Sequence, residues 1–337
     1  MKFKIVLIVI AVFNSCVLQS EPLHQWTWTY AKKFAPDEIK KNKVNFTHAS
    51  TKPFTQLIFS WNARRPQKGY LRFWAQAFIN GQWHEPHLMI DWGSSFQKSY
   101  FTTNTLTAAH HVRLEIPQPH ASKGFRVIVE ALEGAQLAHL KSIFVCVSDF
   151  AKFMPEVPDY IHQLKSVKLN GVPRHSQMVV DHEDRERICS PTSTSMLVGY
   201  LKKRVISPAL FAQQSYDSGL DSYGSWPFNM AHAYEVTDGA YHFCAMRLYS
   251  FLDLYKQLAA GIPVVVSVRG ELEGGVKPYN NGHLMIVVGW DENNKRVLCH
   301  DPAFPADDKV TVAYDAESFI RAWERSQRLA YIATPVA

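Results

Sequence analysis

From Trp26 to Phe150 the chain is written in strand-length runs, and this constrains its fold more than any other feature. The runs 55–61, 70–78, 111–116, 125–131 and 139–147 are rich in β-branched and aromatic residues. In 125–131 the alternation is clean: Phe125, Val127, Val129 and Ala131 fall on one face, and Arg126 and Glu130 on the other. Asn80-Gly81 suits a tight turn between two strands. Short strands at this spacing predict an all-β sandwich. Trp26, Trp28, Trp61, Trp74, Trp83 and Trp92 all lie here. We expect them to fill the sandwich core and the domain interface; the alternative is an exposed aromatic surface for carbohydrate or a cell-surface polymer.

The pattern changes at Leu169. Residues 191–201 and 250–260 have helical spacing, the second ending at Gly261 with Pro263 beyond. Residues 263–268, 284–290, 296–300, 309–314 and 330–334 read as strands, and a helix is expected from Ala316 with Asp315 as its N-cap. Such a mixture is α+β. The expected organisation is a sandwich domain over 21–150, a junction over 151–168 marked by Pro155 and Pro158, and an α+β domain over 169–337. A length of 337 residues accommodates two domains.

Residues 1–20 have the layout of a secretory signal: a basic start at Lys2 and Lys4, an apolar run 5–13, then small and polar residues. The expected product is exported, periplasmic or extracellular, with lipidation at Cys16 as the alternative to simple cleavage. No other stretch is long and apolar enough to span a bilayer. The formal net charge of +6 is spread without a basic stripe, so nucleic acid is not an expected partner. Besides Cys16 there are Cys146, Cys189, Cys244 and Cys299. In an exported chain these four can form two disulfides, or at most one if one of them is a working thiol, and the sequence does not choose between them.

Three short blocks carry chemistry. In Ile188-Cys189-Ser190-Pro191-Thr192-Ser193, Ser190 suits a helix N-cap and Pro191 the first helical position, with Met196, Leu197, Tyr200 and Leu201 forming an apolar stripe. Cys189 then lies at a helix N-terminus, where the free N–H groups favour a thiolate. His283 opens the apolar run 284–290 and Asp301 closes the run 296–300. A short polar turn between the runs predicts a hairpin that brings His283 beside Asp301, on one face if the pairing is symmetric about Glu292. A thiolate, an imidazole that carries its proton, and a carboxylate that orients the imidazole are the parts of nucleophilic acyl chemistry. The tetrahedral oxyanion requires donors: the Cys189 N–H is one candidate and the Gln177 side chain the other.

Together, 172–177, 188–196, Trp226-Pro227-Phe228-Asn229, 261–268, Gly270-Glu271-Leu272, 281–290 and Asp301-Pro302-Ala303 resemble the papain-fold double-glycine leader peptidases, family thirty-nine among cysteine peptidases, in an exported form without a transporter. Ser60-Trp61-Asn62 is similar to a motif of the β-domain that often precedes this peptidase. The resemblance implies a papain-like α+β fold, a triad of Cys189, His283 and Asp301, Gln177 at the oxyanion, a peptide or protein substrate, and no metal or organic cofactor. Ser190 stands where leader peptidases commonly have glycine, and no phosphate-loop motif is present. The resemblance therefore extends to the peptidase and not to leader processing.

The reading is a cysteine-type peptidase hydrolysing peptide or isopeptide bonds. Acyl transfer or cell-wall peptide hydrolysis by the same triad is the alternative within this chemistry, and a surface-binding protein with a relic peptidase fold the alternative outside it. A zinc site from His242, Cys244, Cys299 and His300 fits no standard ligand spacing. Trp226, Phe228 and Trp290 are candidates for a cleft or for a core.

Overall fold

The computed structural model describes residues 25–156 and 158–336; the expected signal segment and Cys16 lie outside them. The first half consists of twelve strands: β1 (Thr27–Lys33), β2 (Lys43–His48), β3 (Gln56–Ala63), β4 (Tyr70–Ile79), β5 (Gln82–Trp83), β6 (His87–Gly93), β7 (Gln97–Ser99), β8 (Thr102–Thr103), β9 (Ala108–His110), β10 (Arg113–Glu115), β11 (Phe125–Leu132) and β12 (Leu140–Ser148). They form two antiparallel sheets, ordered β1-β12-β3-β10-β9-β8 and β2-β11-β4-β6-β7, with β5 hairpinned onto β4. Asn80 and Gly81 both have positive φ in that hairpin, as the dipeptide predicts.

One core cluster joins the two sheets. It takes Leu57, Phe59 and Trp61 from β3, Phe73 from β4, and Phe125, Val127 and Val129 from β11. The Trp61 and Phe73 rings stack at 4.2 Å. Trp26, Trp61 and Trp92 are buried, while Trp28, Trp74 and Trp83 are half-buried. The run expected over 111–116 is shorter: His111 and Val112 form a two-residue turn between β9 and β10.

Residues 151–168 run through short 3-10 turns into β13 (Val167–Lys168), which pairs with a strand of a third sheet. That sheet is built from β14 (Tyr241–Arg247), β15 (Val264–Gly270), β16 (Tyr279–Asp291), β17 (Arg296–His300), β18 (Thr311–Asp315) and β19 (Leu329–Pro335) in the order β14-β19-β15-β16-β17-β18. The helices are α1 (Cys189–Lys202), α2 (Pro208–Ser215), α3 (Trp226–Val236), α4 (Phe251–Ala259) and α5 (Ala316–Glu324). Asp315 caps α5 through Ser318, and Ser250 with Asp253 forms a capping box on α4. The central strands alternate between two cores: Val265, Ile286 and Val288 pack with Met196 and Leu197 of α1, and Val264, Val266 and Val287 pack with Leu254 of α4 and Phe319 of α5. An apolar run with no polar face results because both faces of the sheet are covered.

The sandwich is locked to this sheet. On β3 the odd residues face the sandwich core and the even ones face β14, the edge of the third sheet. Asn62 accepts from the Phe243 N–H at 2.7 Å and donates to the Phe243 carbonyl at 3.0 Å, while Ser60 Oγ accepts from the Ala245 N–H. The polar residues of Ser60-Trp61-Asn62 thus satisfy an edge strand that would otherwise offer unpaired backbone groups. Phe228 and Ala231 of α3 belong to the sandwich core cluster.

Candidate active site

Helix α1 begins at Cys189 with Ile188 as N-cap, two residues earlier than expected. Ser190 is therefore not the cap. Its hydroxyl is buried against the Tyr331 hydroxyl at 2.9 Å, and a buried partner competes successfully with capping. Pro191 still falls in the first turn, where a missing N–H costs no helical bond. The stripe expected on one face becomes a helix buried from Ser190 to Gly199. Three of its hydroxyls find acceptors, while Thr192 Oγ1 is buried without one: Ser193 bonds the Leu284 carbonyl of β16, and Thr194 and Ser195 bond α1 carbonyls. The Ser193 bond ties the start of α1 to the strand that carries the histidine.

His283 and Asp301 are brought together, but not by the symmetric hairpin. Near the turn Asp291 faces Arg296 and Gly289 faces Leu298; past a bulge at Val288, Val287 faces Cys299 and Ile286 faces His300. Carried through without the bulge, the first register would set Asp301 opposite Ile286, on the wrong face. With it, Asp301 follows His300 opposite Met285, which shares a face with His283. A Cβ on Gly289 would lie 2.4 Å from the Val167 carbonyl oxygen of β13, so the bulge needs glycine there. The Asn281-Gly282 turn expected before the strand is a second irregularity inside β16: Gly282 has φ 86°, and the pairing with β15 shifts between Val268–His283 and Gly270–Tyr279.

That shift places the Tyr279 ring 4.2 Å from the His283 ring, nearly parallel to it. Both His283 and Asp301 are buried. His283 Nε2–H donates to Asp301 Oδ1 at 2.7 Å. The same carboxylate accepts from the Ala303 N–H at 2.9 Å, the Tyr279 hydroxyl at 2.7 Å and the Tyr314 hydroxyl at 2.6 Å. Burial opposes its charge, but His283 and these donors outweigh burial and hold Asp301 below the ordinary carboxylate value. Burial likewise works against an imidazolium, yet Asp301 and Cys189 raise His283 above the ordinary histidine value. For Cys189 burial favours the thiol; the bond and charge of His283, then the backbone at Leu284 and Ser190, reverse that and lower it. With Nε2 committed to Asp301, Nδ1 is the imidazole atom left for the thiol.

Gln177 lines the same cavity as Cys189 and is buried. Its N–H donates to the Pro302 carbonyl, tying it to the segment that carries Asp301, and its side-chain amide donates to the Arg185 carbonyl at 2.8 Å. Gln177 Oε1 is buried without a partner. Tyr279 and Tyr314 were not singled out in the sequence; the only signal was a tyrosine shortly before the histidine. Trp226 lines the cavity, whereas Phe228 and Trp290 are core residues. Cys146, Cys189, Cys244 and Cys299 are all free thiols. The cavity measures about 810 Å³.

Residues 169–331 match the model of the Peptidase_C39 like family. Among curated proteins nothing matches the chain. Among solved structures, xylellain, a cysteine protease from Xylella fastidiosa, is similar over 55% of this chain and 91% of its own at 12% identity, with a TM-score of 0.34. The family match defines the class: the protein is a hydrolase, a peptidase of the cysteine type. Within that class, the similarity is to the Peptidase_C39 like family and spans residues 169–331. Among the described residues no helix is long and apolar enough to cross a membrane.

Proposed function

We propose that the protein is an exported cysteine peptidase that cleaves peptide or isopeptide bonds with Cys189 as nucleophile, His283 as general base and acid, and Asp301 as the group that orients His283. The observation that carries this reading is the buried Asp301 carboxylate with four donors on it, one of them His283. A carboxylate held this way is fixed in place and charge, and it fixes the imidazole in turn. The same reading takes 21–150 as a sandwich domain and 169–337 as a papain-like peptidase domain, joined through 151–168.

In the ground state the proton resides on His283 and Cys189 is a thiolate. The thiolate attacks the scissile carbonyl carbon, and the oxyanion is held by the Cys189 N–H in the first turn of α1 and by the Gln177 amide. Collapse breaks the C–N bond, His283 gives its proton to the leaving amine, and a thioester remains on Cys189. Water then attacks the thioester, His283 takes the water proton, and the acid product leaves with the thiolate–imidazolium pair restored.

The test is iodoacetamide alkylation of Cys189 as a function of pH in the wild type and in His283→Ala, together with mass analysis of a peptide mixture incubated with wild type and Cys189→Ala. Selective labelling well below pH 8 that depends on His283, and cleavage lost by about 10⁴-fold in Cys189→Ala, are expected. Labelling like a free thiol near pKa ~8.5, indifferent to His283, sinks the reading.

A further inference from the structure

The cavity that holds Cys189 is charged on one side of the ledger. Arg113, Arg247, Arg269, Lys277 and Arg325 line it, and Glu186 is the one acidic residue in its wall. Arg187 also lines it but is paired with Asp184 and Asp221. Among the described residues, Arg247, Arg269, Lys277 and Arg325 make no ion pair.

These cations come from separate parts of the chain. Arg113 follows the β9–β10 turn of the sandwich, Arg247 ends β14, Arg269 lies near the end of β15, and Arg325 caps α5. Their donors are not equally free. Arg247 spends its guanidinium on Gln56 Oε1 and on the carbonyls of Ser326 and Gln327, so it contributes charge and not contact. Arg325 holds the carbonyls of Arg269 and Glu271. Arg113 is different. Its guanidinium lies over the Trp226 ring, and its buried Nε makes no hydrogen bond but sits 3.4 Å from Glu115 Oε1, its one ion-pair partner among the described residues, a carboxylate that also accepts from Gln56. Burial, opposed by Glu115 and reinforced by the charge of Arg269, makes the Arg113 cation costly. Arg269 is exposed and has no acidic partner.

The turn that delivers Arg113 is itself strained. His111 and Val112 have φ of 46° and 55°. For a β-branched residue such as Val112 the left-handed region is strained. A cluster of cations that the fold places at the cavity holding the thiol, with Arg113 only loosely paired and Arg269 exposed, favours an anionic ligand there.

We propose that this cleft selects anionic peptides, with a carboxylate near the scissile bond received by Arg113 of the sandwich and Arg269 of the peptidase sheet. The proposal rests on Cys189 being the working nucleophile, and it makes the sandwich a specificity element. A carboxylate can come from an internal Asp or Glu or from a chain terminus; the chemistry at the arginines is the same.

The experiment compares alkylation of Cys189 by iodoacetate and by iodoacetamide, which differ by one negative charge. It uses the full chain, Arg113→Gln, Arg269→Gln, the double variant, and Arg126→Gln on the outer sheet as control. The iodoacetate-to-iodoacetamide rate ratio is expected to fall about threefold per arginine removed, and likewise in high salt, with no change in Arg126→Gln. A ratio that stays at the wild-type value in Arg113→Gln and Arg269→Gln overturns the proposal. Should Arg113→Gln fail to fold, the exposed Arg269→Gln decides. Failure of the nucleophile reading looks different: iodoacetamide labelling itself would not depend on His283. A peptide set with Glu or Gln at each position, and free or amidated C-termini, separates the two sources. Preference for Glu at one position indicates a side chain, preference for the free terminus indicates the terminal carboxylate, and cleavage indifferent to both counts against selection.

Discussion

At the scale of single residues, two pKa shifts of opposite sign define when the site is charged. Cys189 is lowered and His283 raised, so on the proposed reading the thiolate–imidazolium pair is expected between the two. Peptide turnover is expected to rise as pH passes the lowered Cys189 value and to fall as pH passes the raised His283 value, a bell that a pH–rate profile reads directly. In His283→Ala the thiol loses its cation but keeps its burial, and its alkylation midpoint is expected at or above ~8.5. The stability signs follow from the same shifts. His283, raised on folding, contributes below about pH 6.5 and loses that contribution as pH climbs through its raised value. Asp301, depressed on folding, contributes above about pH 4 and loses that contribution as pH falls through its depressed value. Tyr314 tests the carboxylate's setting. Its hydroxyl contacts Asp301, so in Tyr314→Phe the Asp301 value moves up, the carboxylate with one donor fewer holds the imidazolium more strongly, the His283 value moves up with it, and the upper limb of the pH–rate profile shifts to higher pH. A variant that lost stability alone would leave that limb in place.

At the scale of elements, the bulge at Val288 decides the site. It converts the register that the turn sets into the register that places Asp301 on the face of His283. Gly289 is pinned there by the β13 carbonyl at 2.4 Å from where a Cβ would stand. Gly289→Ala is expected to cost about 1–3 kcal/mol in denaturant unfolding and to depress turnover by more than the unfolded fraction explains, because β13 must move and the bulge with it. Equal losses of stability and turnover would mean that the bulge is not coupled to the site.

At the scale of the whole molecule, the sandwich and the third sheet share packing. Phe228 of α3 sits in the sandwich core, its ring 6.0 Å from that of Trp61, and Asn62 pairs with both backbone groups of Phe243. Phe228→Ala should lower stability by about 3–5 kcal/mol, and the unfolding of the full chain should stay a single transition by near- and far-ultraviolet circular dichroism. Two separated transitions would show that the halves are independent, and that the shared core does not couple them.

Much of this protein is legible in local sequence. The strands 125–131 and 263–268, the α4 capping box and the Asp315 cap follow from period and from side chains that bond their own neighbours, so nothing distant has to be known. The residue types of the site are legible for the same reason: Cys189 beside a helix start, His283 and Asp301 at the ends of adjoining runs. The strands β1, β2, β6, β8 and β9 and the helices α2 and α3 are held by pairing and burial against distant partners. Tertiary structure alone decided that Ser190 would bond Tyr331 and leave the cap to Ile188, that a bulge would correct the hairpin register, and that Tyr279 and Tyr314 would complete the donors on Asp301. Each of these depends on a partner far away in the chain, and period and propensity describe a residue only through its neighbours.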